Sequence, residues 1–151
     1  DFIAIEVHAP GIGSLLNRIQ QLTLTNLKVI AYDAYPTLQS MLPDESLDGV
    51  HIFFPDPWPK ARHRKRRLVS GPTLNLLAQA MKPGAELRIA TDIGDYARTI
   101  LEAIAHQTNF RWTATGPRDW RIQGDDWPVT RYQQKAIREG RRSYFLRFER
   151  V

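Results

Sequence analysis

The chain has 151 residues, enough for one domain with a real core, and its 42% hydrophobic and 25% charged residues are ordinary for a soluble globular protein. It has no cysteine, which excludes disulfides, thiolate catalysis and cysteine-zinc sites and fits a reducing cytoplasm, and no apolar run approaches the length of a membrane span. The net charge is +5, and its clustering says more than its size: six of the eight residues from Lys60 to Arg67 are Lys or Arg.

Phe2 to Val7 alternates and reads as a buried strand rather than a leader sequence. Pro10-Gly11-Ile12-Gly13 reads as a turn, after which Leu15, Leu16, Ile19 and Leu22 follow helical spacing. Leu27 to Tyr32 is a second strand, Ala34 to Leu42 a short helix, and Leu47 to Phe54 a third strand. The leucines at 74, 76 and 77 predict a helix over Val69 to Met81, stopped by Lys82-Pro83-Gly84. Glu86 to Thr91 is a fourth strand, Tyr96 to His106 a helix, and Phe110 to Thr115 a fifth strand. A long polar loop, Gly116 to Arg142, precedes a last strand, Ser143 to Phe148. This alternation predicts an α/β domain with a mostly parallel sheet, its final two strands an antiparallel edge pair because no helix separates them.

Glu6, Asp33, Asp56 and Asp92 each fall at or just past the carboxyl end of a predicted parallel strand. Taken one at a time, each is best read as a turn former or helix cap. Four on successive strands favour a site on one rim of the sheet, since crowded like charges need cations or hydrogen-bond donors to face. Glu6 suits ribose hydroxyls and Asp33 an adenine amino group, leaving Asp56 and Asp92 nearer a second substrate.

Asp56 stands out among them. In Phe53-Phe54-Pro55-Asp56-Pro57-Trp58-Pro59-Lys60 three prolines end the strand and stiffen the turn that carries it. Directly behind comes Arg62-His63-Arg64-Lys65-Arg66-Arg67. A rigid acid beside a polyanion-binding run suggests chemistry on a nucleic acid. The four histidines, at 8, 51, 63 and 106, lack metal-ligand spacing, so no metal is expected.

At these residues the sequence resembles the bacterial tRNA (guanine-N7)-methyltransferases. The resemblance runs through residues 1–11, Asp33-Ala34, Ile52 to Arg67, Ala90-Thr91-Asp92, Tyr96-Ala97, Thr130-Arg131-Tyr132 and Phe148-Glu149-Arg150, and it is most specific from Phe53 to Arg67. It implies a Rossmann-like class I methyltransferase fold and a single domain over 1–151. It also implies a soluble cytoplasmic enzyme, taken as a monomer, that moves a methyl from S-adenosylmethionine to a guanine in the tRNA variable loop. By the same resemblance Glu6, Asp33 and Asp56 contact S-adenosylmethionine, and Asp56 is the catalytic residue. Lys60, Asp92, Thr130, Arg131, Tyr132 and Gln133 contact the substrate, and Arg62, His63, Arg64, Lys65, Arg66 and Arg67 contact the RNA. The family has Glu where this chain has Gln133. It also has a strand and Gly-rich cofactor loop upstream of Phe2, which this sequence lacks; the missing strand would lie between those bearing Glu6 and Asp56.

Guanine N7 carries a free lone pair, so its methylation needs alignment more than deprotonation. A fixed Asp56 carboxylate either stabilises the positive charge passing to the purine or orients the base. Asp92 and Gln133 are candidate acceptors for the opposite edge of the guanine. Trp58, Trp120 or Tyr132 could stack on an extruded base; Trp58 packing behind its turn is an equal alternative, and Trp120 and Trp127 are better read as pins for the long loop. Two rival functions stand beside the enzyme: a non-catalytic RNA-binding module, and a dinucleotide oxidoreductase, which the lack of a G-x-G-x-x-G opening a helix disfavours.

Overall fold

A computed structural model describes residues 1–151 and divides them into two compact units, Asp1–Leu42 and Pro43–Val151. No helix is long and apolar enough to cross a membrane.

The first unit is a βαβα segment. Strand β1 (Phe2–Ile5) runs parallel to β2 (Leu27–Ile30), with Phe2 opposite Leu27 and Ile5 opposite Ile30. Helix α1 (Ala9–Gln21) connects them and α2 (Ala34–Ser40) follows. The predicted turn at Pro10 to Gly13 is instead the first turn of α1. A proline has no N–H to leave unpaired there, and the His8 side chain caps the helix by accepting from the Gly11 amide. Nor is β1 buried as expected. It pairs on one side only, Phe2 is 65% exposed, and α1 has no buried residue.

The second unit holds a four-stranded sheet in the order β3-β4-β6-β5. Strands β3 (Leu47–Phe53) and β4 (Met81–Thr91) are parallel, whereas β6 (Tyr144–Arg150) runs antiparallel to both β4 and β5 (Phe110–Trp112). The antiparallel pair at the C-terminal edge is therefore as the sequence reading had it. Helices α3 (Gly71–Ala80) and α4 (Gly94–Ala105) make the connections β3–β4 and β4–β5. Helix α3 stops at Ala80, just ahead of Lys82-Pro83-Gly84 as expected, but these three residues lie within β4. β4 already pairs at Met81, and the register then jumps from Leu47↔Met81 to Gly49↔Glu86, the extra residues being turned out through Gly84 at φ +80°.

β4 is central and obeys the two-residue alternation of a strand. Leu87 and Ile89 face the main core with Leu146 and Phe148 of β6, and with Leu74, Leu77 and Ile100 of the helices. Arg88 and Ala90 face the other way, where Trp127 lies against Phe53, Phe145 and Ala90. That tryptophan comes from the stretch read as one long loop. The stretch contains two helices, α5 (Arg118–Arg121) and α6 (Arg131–Arg138). α6 escaped the periodicity reading because only Gln133 and Ala136 of its residues are buried.

Candidate active site

Every strand-end acid sits where the sequence put it. Glu6 directly follows β1 and Asp33 caps α2 after β2; in the other unit Asp56 follows β3 and Asp92 follows β4. Each acid of the first unit does local work with one oxygen and keeps the other free. Glu6 Oε1 accepts from the amides of Val7 and His8, each at 2.8 Å. Asp33 Oδ1 accepts from the Tyr35 amide at 2.8 Å, its backbone carbonyl taking the Thr37 hydroxyl at 2.7 Å. Each side chain thus caps the local backbone with one oxygen and leaves the other without a partner. Gly11 keeps the space beside Glu6 open, since a Cβ there would come to 3.7 Å from Oε2.

The Asp56 turn is built under strain. Phe54 and Trp58 both adopt positive φ, 52° and 41°, a region that costs bulky L-residues about 1–2 kcal/mol. The Phe54 amide anchors one side of the turn on the Ala90 carbonyl at 2.7 Å. Asp56 is exposed and its carboxylate has no hydrogen-bond partner in the chain. Trp58 packs behind the turn, with His63 edge-on at 5.9 Å and the Arg66 guanidinium over its ring at 4.9 Å. Lys60 is exposed and caps a 3-10 helix, Ala61–Arg66, that carries most of the basic run.

Arg67 departs from the sequence reading. Its side chain is 4% exposed and turned inward, so it is not available to a phosphate. Nε donates to the Pro57 carbonyl at 2.7 Å, Nη1 to the Thr99 hydroxyl at 3.0 Å and Nη2 to Asp95 at 2.7 Å, while the guanidinium lies 4.7 Å from the Tyr96 ring centre. The last residue of the basic run therefore ties the Asp56 turn to α4. Hydrogen bonds from Arg67 and then Arg98 hold the Asp95 carboxyl below the ordinary carboxylate range, with Arg64 adding to them at 3.1 Å. Burial pushes the Tyr96 hydroxyl up, and the Asp56 charge adds to the rise; that hydroxyl accepts from the Val69 amide at 3.0 Å. No sequence signal separates Arg67 from the arginines before it, because its partners come from 28 and 32 residues further on.

α6 brings Thr130 to Gln133 to the same side of this unit as the turn, since Tyr132 stacks on Phe54 at 6.3 Å between ring centres. Thr130 caps the helix, its hydroxyl accepting from the Gln133 amide at 3.1 Å. Arg131 and Tyr132 are exposed. Gln133 is buried. Its amide nitrogen donates to Gln123, but its Oε1 has no partner at all. A buried acceptor left unpaired costs about 1–3 kcal/mol, so Gln133 Oε1 is open to a partner from outside the chain. Asp92 is largely buried and bound by Arg141 Nε at 2.7 Å. The sequence reading missed both Arg141 and Gln123, which lie in the segment taken for loop. Trp120 stacks on Tyr144 at 6.0 Å and, like Trp127, pins its segment to the sheet.

A family model described as "Putative methyltransferase" matches residues 1–146, and the chain belongs to that methyltransferase family. Among curated relatives, it is 48% identical over 143 residues to a tRNA (guanine-N(7)-)-methyltransferase of Nitrosospira multiformis, covering 93% of this chain and 60% of that protein. It is 51% identical over 140 residues to the Nitrosomonas europaea protein of the same name, covering 93% and 61%. The chain thus spans about three fifths of the length of these relatives. Among solved structures, a Streptococcus mutans protein in complex with SAH matches with a TM-score of 0.62 at 11% identity, over 99% of this chain and 75% of that one. That likeness bears on the fold, which is the mostly parallel α/β arrangement of methyltransferases.

Proposed function

We propose that the chain serves the transfer of a methyl group from S-adenosylmethionine to N7 of a guanine in the tRNA variable loop, its two units being parts of one methyltransferase domain. The observation that carries this reading is the Asp56 turn: a strained, proline-fixed loop that leaves one carboxylate exposed and unpaired, backed by exposed cations. The names of the curated relatives support the same reaction.

The residues present suit the cofactor. Glu6 Oε2 and the second oxygen of Asp33 are free acceptors, the former for ribose hydroxyls and the latter for the adenine amino group. S-adenosylmethionine supplies an electrophilic methyl on a sulfonium, so the protein's task is alignment. Asp56 lies beside the purine and stabilises the positive charge it gains, at no cost in reorganisation because the turn is already fixed. Gln133 Oε1 accepts from the N1–H or amino group on the opposite edge. Asp92, neutralised on one oxygen by Arg141, offers the other. Lys60, Thr130, Arg131 and Tyr132 line the substrate side, and Arg62, His63, Arg64, Lys65 and Arg66 meet the RNA backbone. A tRNA substrate supports a cytoplasmic setting.

The test uses the protein that carries this chain, tRNA and cofactor with a labelled methyl. Asp56→Ala is expected to lower methyl transfer at least 100-fold, the scale of losing one preorganised electrostatic group, while tRNA affinity changes less than threefold. Retention of most of the activity, or label found on a base position other than guanine N7, removes this reading.

A further inference from the structure

The cations of the second unit fall into two populations. Lys82, Arg88, Arg98, Arg111 and Arg147 are each held by a carboxylate of the chain. On the 3-10 helix Arg62, Lys65 and Arg66 are exposed and paired with no acid. A second free set lies on α6 and just beyond it. Arg131, Lys135, Arg138 and Arg142 are exposed and none has an ion-pair partner.

Their spacing is that of one helix face. Arg131, Lys135 and Arg138 stand at i, i+4 and i+7, which sets neighbouring side chains about 5–6 Å apart and the row about 10 Å long. Glu139 is the only acid between Trp127 and Arg142, and it is already bound by Arg141. Like charges at these spacings destabilise an isolated helix. α4 shows the ordinary remedy, with Arg98 set between Asp95 and Glu102. The helix dipole would account for Lys135 and Arg138 in the last turn, but Arg131 in the first turn is on the wrong end for it. A stripe kept free of acids fits a partner that brings its own negative charge at regular spacing.

We propose that the α6 stripe, Arg131, Lys135 and Arg138, together with Arg142 just beyond the helix, is a second phosphate-binding ridge, so that one RNA contacts the chain on both the 3-10 helix and α6. The Phe54–Tyr132 stack joins the start of α6 to the Asp56 turn, and the 3-10 helix begins directly after that turn. The two basic rows therefore flank the same loop. This inference rests on tRNA being the substrate.

The experiment measures tRNA affinity against salt for three proteins: the unaltered one, a triple variant Lys135→Gln, Arg138→Gln, Arg142→Gln, and a triple variant of equal charge change in the paired set, Lys82→Gln, Arg98→Gln, Arg111→Gln. Gln is a good helix former, and circular dichroism melts establish that all three are folded. Three lost phosphate contacts should lower the slope of log affinity against log salt by about 2–3 for the α6 variant. The paired-set variant should keep the original slope. An α6 variant with the original slope overturns the ridge and leaves the methylation reading standing. Equal loss in both variants also overturns it, since net charge would then be the cause. Failure of the unaltered protein to bind tRNA overturns both.

Discussion

Arg67 shows how much a single position can differ from its neighbours in sequence. Six residues of a basic run look alike on paper, yet this one is spent inside the fold on Pro57, Thr99 and Asp95. The guanidinium fork can reach three acceptors at fixed angles; the flexible point charge of lysine cannot. Its link to the Pro57 carbonyl acts on the residue next to Asp56, so Arg67 is a positioning residue for the turn. Arg67→Met is expected to cost about 2 kcal/mol through the lost bonds to Pro57 and Thr99. It should lower kcat while leaving the salt slope of tRNA binding as it was. Arg66→Met should do the reverse, reducing the slope by about 1 with kcat at saturation little changed. Kinetics and binding titrations on the two variants separate a residue that shapes the turn from one that touches RNA; a reduced slope for Arg67→Met would return it to the interface.

Among the elements, the segment from Gly116 to Arg142 departs furthest from expectation. Read as loop, it is a short helix, a buried tryptophan and a capped second helix. Trp127 closes the face of the sheet that α3 and α4 leave open, packing on Phe53 at 5.4 Å and Phe145 at 5.3 Å. Arg88 and Arg147 lie within 5.5 Å of the same ring and both bind Asp126. The segment is thus tied down at its middle, and α6 with Gln133 and the basic stripe hangs from that tie. Trp127→Ala should destabilise the unit by about 3–5 kcal/mol in denaturant unfolding. Before global unfolding it should also speed amide exchange of residues 123–136. Unchanged exchange there would mean that α6 is held by other contacts.

At the scale of the molecule, charge matters through pairing more than through its total. Asp126 is held below the ordinary carboxylate range by its hydrogen bond from Arg147, with Arg88 adding to it, and Asp95 by those from Arg67 and Arg98. Asp119 is lowered by the amides of Thr115 and Gly116. For carboxyls depressed in the folded state the linked stability is fully present above their unfolded value, about 3.9, and is lost as pH falls through the folded values. The melting temperature should therefore show no pH dependence from these groups between pH 7 and about pH 5, where their contribution is full and constant, and fall progressively below about pH 4. Asp126→Asn should lower it at pH 7 and make the acid limb shallower. An acid limb of unchanged steepness would show that Asp126 takes no part in it.

Periodicity and punctuation determined much of this protein from sequence alone. Alternating apolar residues gave each strand within a few residues, and the prolines at 55, 57 and 59 marked the turn that bears Asp56. Acids just past strand ends were legible because turn chemistry is local. Other features depended on partners distant in the chain. The exposure of β1, the inward turn of Arg67, the Arg141 partner of Asp92 and the unpaired Gln133 oxygen follow from which elements pack together. α6 was hidden for a related reason: it buries two side chains, so it leaves almost no apolar period, and its place is set by Trp127 and Tyr132 finding Phe53 and Phe54. The stiff acid at the end of β3 was thus a matter of sequence. Which cations remain free around it was decided by tertiary packing, because only the folded sheet and helices bring the competing carboxylates to some arginines and leave others bare.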